Sequence, residues 1–246
     1  MDEQVINKII DLYKKEEFQT KLEKQRNDIE SELDNFIKRL SNEPNYNKKI
    51  KEKVVSRIKT SDSLSEKLKR KNYFSEEIVN SSPSEALNLL KSKIRDLIGF
   101  RINCYFKEDE KVIFKELESY LIDKSFQVDI DQDPQKNGHP IFKMHCSKEK
   151  LDFNFEIQVK SLLHDVWGEV EHKIIYKARE YDSRLAFKKQ LIESLWKIIE
   201  GTDEQLIKIF ESRGDEQKTK KELFYIITSK KKMMKNWLNI MIIFSC

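Results

Sequence analysis

One stretch constrains this chain more than any other: Phe153-Asn-Phe-Glu-Ile-Gln-Val-Lys160. Apolar and polar residues alternate through it, the pattern of a half-buried β-strand. Phe153, Phe155, Ile157 and Val159 pack inward. Asn154, Glu156, Gln158 and Lys160 then stand in a row on the other face, about 7 Å apart. A solvated strand face has the same pattern, so the following segment matters. Ser161 to Lys177 reads as a helix with His164, Trp167 and Glu171 at i, i+3 and i+7 along one stripe. Leu163, Val166, Val170 and Ile174 form the adjacent apolar face. A polar row feeding such a stripe has the form of a cleft wall. Core packing of Trp167 and capping by His164 are the alternatives at those residues.

The other elements around this wall can be read in turn. Residues 4–40 contain neither Pro nor Gly, and apolar residues recur at helical spacing from Ile6 to Leu40. One long helix, or two in succession, is expected, broken at Asn42-Glu-Pro-Asn. Ser61-Asp62-Ser63 opens a short basic helix to about Lys71. Asn80-Ser-Ser-Pro-Ser is a loop, and another helix starts at Ser84. Strands are expected over 98–106, 126–130, 141–146 and 152–159, with a helix over 108–123. Helical pattern then runs to about Ser212, and a lysine-rich helix follows the break at Gly214.

The expected fold is α+β: a mixed four- to five-stranded sheet flanked by helices, with helical extensions at both termini. The divisions fall at 1–45, 46–180 and 181–246. Lys and Arg number 47 against 43 Asp and Glu, a net charge of +4, so global charge does not argue for nucleic-acid binding. Cys104, Cys146 and Cys246 show neither metal-ligand spacing nor a disulfide framework. The first two fall in or at the end of apolar runs, as buried free thiols do. No signal-peptide core and no apolar run of about 20 residues are present, which implies no membrane span and a cytoplasmic, reducing setting.

Asp96 is the second carboxylate of interest, at the junction of a helix and a strand in Ile94-Arg-Asp-Leu-Ile-Gly-Phe-Arg101. Arg101 alternates onto the polar side of that strand, the side Glu156 shares if the two strands are neighbours. Two converging carboxylates make a hard-oxygen site suited to Mg²⁺, and Mg²⁺ suits phosphate chemistry. A third cluster runs from Arg57 to Lys71, with Ser63, Lys67 and Arg70 on one helical face. A helix start with a one-sided basic stripe is suited to a polyphosphate.

Together these clusters resemble the RelA/SpoT synthetase family over roughly residues 54–177. The most specific piece runs from Phe155-Glu-Ile-Gln-Val-Lys-Ser to Trp167-Gly-Glu-Val-Glu-His172 and Tyr176-Lys177. It is similar to the family's E-[IV]-Q-[IV]-R-T, W-x-x-x-E-H and Y-K. Arg57 to Arg70 resembles the donor-site motif R-[VI]-K-S-x-x-S-x-x-x-K, and Asp96 to Arg101 the motif D-[IL]-x-G-x-R. The resemblance implies a nucleotidyltransferase-like domain that moves pyrophosphate from ATP to the 3′-hydroxyl of GDP or GTP, with Mg²⁺ as cofactor. Arg57 and Arg101 would sandwich the adenine. Lys59, Ser63, Lys67 and Arg70 would hold the ATP phosphates. Asp96 and Glu156 would bind Mg²⁺, with Glu156 also drawing the proton from the attacking hydroxyl. His139, Gln158, Lys160 and His164 would serve the acceptor.

The acceptor loop departs from the family's K-x-N-G-Y-x-S-x-H. Here it reads Gln135-Lys-Asn-Gly-His-Pro-Ile-Phe-Lys143, with His139 for the Tyr and Lys143 for the His. Three functions stay open: synthesis of (p)ppGpp, transfer to another acceptor such as an adenine nucleotide or the 3′ end of tRNA, and nucleotide binding without catalysis. All four histidines lie after residue 138, so the histidine-dependent hydrolase of bifunctional members is not expected. The long amino-terminal helix could serve packing or self-association into a homo-oligomer. The apolar tail from Trp237 to Cys246 suits a core segment, a partner chain or a membrane surface.

Overall fold

The computed structural model describes residues 3–46, 49–51, 53–71, 83–130, 142–171, 185–212, 225, 227–230 and 232. It divides into two compact units: Met1–Asn103 with Glu110–Lys160, and Cys104–Asp109 with Ser161–Cys246.

In the first unit the amino-terminal segment forms two helices, α1 (Glu3–Tyr13) and α2 (Glu16–Ser41). Lys15 between them is extended (φ −60°, ψ 135°), which interrupts the helical ladder. Glu16 and Glu17 in the first turn of α2, and Lys38 and Arg39 in the last, match the helix dipole at each end. Leu22, Leu33, Phe36 and Leu40 of α2 are wholly buried, each contributing roughly 1.5–3 kcal/mol. Leu33→Asp would place an unpaired charge in that stripe and unfold the layer.

Then come β1 (Val55–Ile58), α3 (Ser61–Lys71), α4 (Pro83–Lys93), β2 (Ile98–Cys104), α5 (Lys107–Asp123), β3 (Gln127–Ile130), β4 (Phe142–Ser147) and β5 (Phe155–Ser161). The five strands form one mixed sheet in the order β1-β2-β5-β4-β3. The β1–β2, β3–β4 and β4–β5 pairs are antiparallel. The Phe100 and Phe155 rings meet edge to face at 5.7 Å, so these residues share a face of the sheet. Alternation then puts Gly99, Arg101 and Asn103 of β2 on the opposite face with Glu156, Gln158 and Lys160 of β5. Aromatic contacts continue the apolar layer, with Phe36 of α2 on Tyr120 of α5 at 5.2 Å and Phe114 of α5 on Phe142 at 5.5 Å.

Several strand boundaries differ from the expected ones, and two of the differences bear on packing. Strand β2 ends at Cys104 rather than Phe106, which is buried in a cluster with Leu206 and Ile227 of the second unit. Strand β5 begins at Phe155 rather than Asp152. The backbone N–H and C=O of Phe153 bond to the Gln25 side chain at 3.0 and 2.7 Å, as they would to a neighbouring strand. Cys104 and Cys146 are buried free thiols, and burial pushes the Cys146 thiol up to about 12.

The second unit holds α6 (Leu162–Glu171) and α7 (Leu185–Ser212). The Ser161 hydroxyl caps α6 by accepting from the His164 N–H at 3.2 Å. Leu163 and Trp167 pack with Ile192, Trp196 and Ile199 of α7 into one core. This corrects the cleft-wall reading of the His164 and Trp167 stripe. Both are nearly fully buried, and their rings meet Trp196 at 5.3 and 5.5 Å. Glu171 closes α6, and Ile174, His172 and Lys177 lie outside the described residues. The Asp203 carboxylate accepts from the Lys107 N–H at 2.8 Å, and the Lys107 ammonium pairs with Glu200. No helix of the described residues is long and apolar enough to cross a membrane.

Candidate functional site

The joint between β1 and α3 is built to hold cations in place. Lys59 leaves β1 with its N–H bonded to the Leu97 carbonyl at 2.9 Å, which ties it beside Asp96. Thr60, one residue before the expected cap region, caps α3: its Oγ1 accepts from the Ser63 N–H at 3.3 Å and donates to Ser63 Oγ at 3.0 Å. Lys67 follows one turn on. Lys59 Nζ lies 3.0 Å from Asp96 Oδ2, and Lys67 Nζ lies 2.7 Å from Oδ1. Each carboxylate oxygen thus has its own ammonium. Burial pushes the Asp96 carboxyl up, but the two lysines outweigh it and hold the group below the usual carboxylate range.

The polar face of the sheet carries the other groups. Glu156 is almost fully buried, and Gln158 Nε2 donates to its Oε1 at 2.7 Å. Across the β4–β5 pair, His145 stands opposite Glu156, and Lys143 opposite Gln158. Lys160 is buried at the end of the row, and its carbonyl accepts from Asn103 Nδ2 at 3.4 Å. A cavity of about 320 Å³ lies alongside, lined in part by Arg95, Asp129, His145 and Asn154. Arg95 and Asp129 form an ion pair at its wall.

On the β1–β2 side, Arg57 pairs in register with Gly99, and Val55 with Arg101. Arg57 and Arg101 are therefore diagonal neighbours on one face, about 7–8 Å apart at their backbones. A Cβ on Gly99 would lie 3.3 Å from Arg57 Nε and 3.5 Å from its Cγ. The missing side chain gives the arginine stem room to cross the sheet.

Of the expected residues, Lys59, Lys67 and Asp96 form one ion-paired cluster, while Arg57, Arg101, Glu156, Gln158 and Lys160 share the polar sheet face. Ser63 sits exposed in the first turn of α3. Arg70 lies on α3 with its side chain outside those described, and His139 lies outside the described residues. His164 belongs to the core of the second unit. Mg²⁺ binds through one or two carboxylates together with substrate phosphates; the oxygen donors available here are Glu156 on the sheet face and Asp96, whose two oxygens each meet a lysine ammonium. Among the described residues no group of three or more His, Cys, Asp or Glu is gathered as for a metal ion.

Sequence reasoning missed Tyr13 and Gln25. The hydroxyl of buried Tyr13 donates to the Lys59 carbonyl, and burial pushes that hydroxyl up to about 12. The one available signal was Gln25, a polar residue interrupting the apolar stripe of α2.

The α+β domain thus carries a carboxylate, an amide and arginines on one face of its mixed sheet, beside a lysine-clasped aspartate. Residues 56–181 match the family described as "Region found in RelA / SpoT proteins", and the chain belongs to that family. GTP pyrophosphokinase YwaC of Bacillus subtilis (strain 168) is 31% identical over 133 residues, which cover 51% of this chain and 59% of that protein. The match therefore spans less than two thirds of that relative's length. Among solved structures, small alarmone synthetase 1 from Bacillus subtilis bound to its product pppGpp aligns with a TM-score of 0.59 at 20% identity, over 79% of this chain and 95% of that one. A GTP pyrophosphokinase family protein from Streptococcus pneumoniae aligns with a TM-score of 0.58 at 18% identity, over 80% and 92%. These likenesses establish a shared fold.

Proposed function

We propose that the chain is a pyrophosphokinase that transfers the β,γ-pyrophosphate of ATP to the 3′-hydroxyl of GDP or GTP, forming (p)ppGpp and releasing AMP. The observation that carries the reading is the Asp96 carboxylate clasped by Lys59 and Lys67, in a family whose relative YwaC is named a GTP pyrophosphokinase. Arg57 and Arg101 take the adenine between their planes, which lysine could not do. Lys59, Ser63, Lys67 and Arg70 hold the phosphates. Asp96 and Glu156 would hold Mg²⁺, which when bound neutralises charge on the transferring group.

The acceptor's 3′ oxygen attacks the β-phosphorus as the bond from that phosphorus to the α,β-bridging oxygen breaks, and AMP leaves with that oxygen. The hydroxyl proton passes to the Glu156 carboxylate, which the Gln158 amide orients. Rate enhancement comes from alignment and charge placement. Gln158, Lys160 and His139 position the acceptor. His164, edge-on to Trp196, is left to packing.

A second acceptor class has a specific observation in its favour. Lys143 stands opposite Gln158, where the resemblance has histidine, and His139 replaces the stacking tyrosine. A cation there suits an acceptor with more phosphate, such as the 3′ end of tRNA. Incubation with Mg²⁺, γ-labelled ATP and separately GDP, GTP, AMP or tRNA tests both. Label on GDP or GTP with AMP release is the expected result. Label on tRNA or AMP alone replaces the acceptor, and no AMP release with any acceptor overturns the enzyme reading.

A further inference from the structure

We infer that the amino-terminal helix pair belongs to the working geometry of the site: Tyr13 and Gln25 are positioning residues, one for the Lys59–Asp96 side and the other for Glu156. The inference rests on the reading of those groups as donor site and base.

Gln25 is the polar exception in the buried stripe of α2 and is itself only 6% exposed. Its amide meets residue 153 with both hands, accepting from the N–H at 3.0 Å and donating to the C=O at 2.7 Å. That is the pair of bonds a strand neighbour would make, supplied by a side chain 128 residues away in sequence. Phe153 lies three residues before Glu156, in the bend that leads into β5. With Phe153 pinned, the start of β5 and the offset of Glu156 are fixed. Placing an uncharged amide in an apolar stripe costs stability unless both its groups are satisfied, and here the backbone of Phe153 satisfies them.

Tyr13 acts on the other side. Its hydroxyl donates to the Lys59 carbonyl, while the Lys59 N–H is bonded to Leu97. The residue whose ammonium meets Asp96 Oδ2 thus has its backbone held at both ends. Gln19 Nε2 donates to the Tyr13 carbonyl at 2.6 Å, which fixes the end of α1. Phe18 joins the two supports, its ring 5.5 Å from that of Tyr13 and 5.1 Å from that of Phe153.

The two supports fail in different ways, which separates positioning from mere stability. Gln25→Met keeps the length and removes both bonds. It is expected to lower kcat roughly ten- to hundredfold, with ATP KM and binding of a non-hydrolysable ATP analogue near wild type. Tyr13→Phe removes only the hydroxyl. It is expected to weaken analogue binding and raise ATP KM about two- to tenfold, the worth of one hydrogen bond, with little change in kcat at saturating ATP. Isothermal titration and steady-state kinetics on the full chain, on protein judged folded by circular dichroism, give both readouts. If Gln25→Met does not fold, Gln25→Asn takes its place and is expected to show the same kcat-selective loss. Wild-type parameters in both folded variants, or equal changes in kcat and KM in both, overturn the inference. If the wild-type chain transfers no pyrophosphate at all, the functional reading fails instead, and the analogue titration still decides the role of Tyr13.

Discussion

Asp96 and Glu156 are both mostly shielded from water, yet their partners differ in kind. Each oxygen of Asp96 meets an ammonium group, whereas Glu156 accepts from the neutral amide of Gln158 and faces His145 across the strand pair. Ammonium partners fix a carboxylate as an anion and bring exchangeable cations to the same point. A neutral amide aims a carboxylate without adding an opposing charge. In the proposed reaction the first would gather phosphate and metal charge, and the second would take the proton of the attacking hydroxyl.

The sharpest way to break this contrast is to neutralise each carboxylate in turn. Asp96→Asn and Glu156→Gln are each expected to cut pyrophosphate transfer by about a thousandfold. They should part in binding: with Mn²⁺ as a probe, Asp96→Asn loses metal-dependent binding of an ATP analogue and Glu156→Gln keeps most of it. A Glu156→Gln protein with near wild-type turnover would remove Glu156 as the base. Identical binding losses in both would erase the distinction between the two environments.

A milder pair of changes sharpens the same contrast. Lys67→Met is expected to raise ATP KM by about tenfold or more, the worth of one charge-assisted hydrogen bond, and to leave acceptor KM alone. Lys143→Met is expected to do the reverse, by a smaller factor because Lys143 is only half-buried. Saturation curves in each substrate, at fixed excess of the other, check both. Crossed effects would show that the two regions do not divide donor from acceptor.

These two regions were also unequally legible in the sequence. The polar row of β5 follows from a period of two, and Asp96 from its place between a helix and a strand, because both signals are local. The clasp of Lys59 and Lys67 on Asp96 was not readable as contact, since it depends on β1 pairing with β2 and on the turn at Thr60. Tyr13 carried no signal and Gln25 only its polarity within the apolar stripe of α2, because each bonds to backbone far along the chain. His164 and Trp167 misled for the opposite reason. Their helical stripe was real, but α7 supplied Trp196 to cover it, and periodicity alone does not say which stripe a later helix will bury.

Acid stability tests the electrostatic half of the contrast. The Asp96 carboxyl is held below its ordinary range in the folded chain, with burial opposing and the two lysines prevailing. A depressed folded pKa gives stability that is present above the unfolded value of 3.8 and is lost as pH falls through the folded value. Wild type is therefore expected to lose stability on acidification below about pH 4, and Asp96→Asn to lose less over the same window. Denaturant midpoints measured at intervals of pH check this, and parallel curves for the two proteins would deny the clasp any net effect.

The smallest expected effect lies on the donor side, at Gly99. An alanine Cβ there meets the Arg57 side chain at 3.3 Å, close enough that the arginine must give by a few tenths of an ångström. Arg57 is exposed, so the shift costs little, and the lost chain entropy of glycine offsets part of it. Gly99→Ala should leave stability within about 0.5 kcal/mol of wild type. It should nonetheless raise ATP KM about two- to threefold, because it displaces the Arg57 guanidinium proposed to meet the adenine. In an Arg57→Ala background the same glycine change should have no further effect on ATP KM, since the two act through one side chain. An additive effect there would mean that Gly99 acts on nucleotide by another route, and the pairing of the two arginines across β1 and β2 would lose its support.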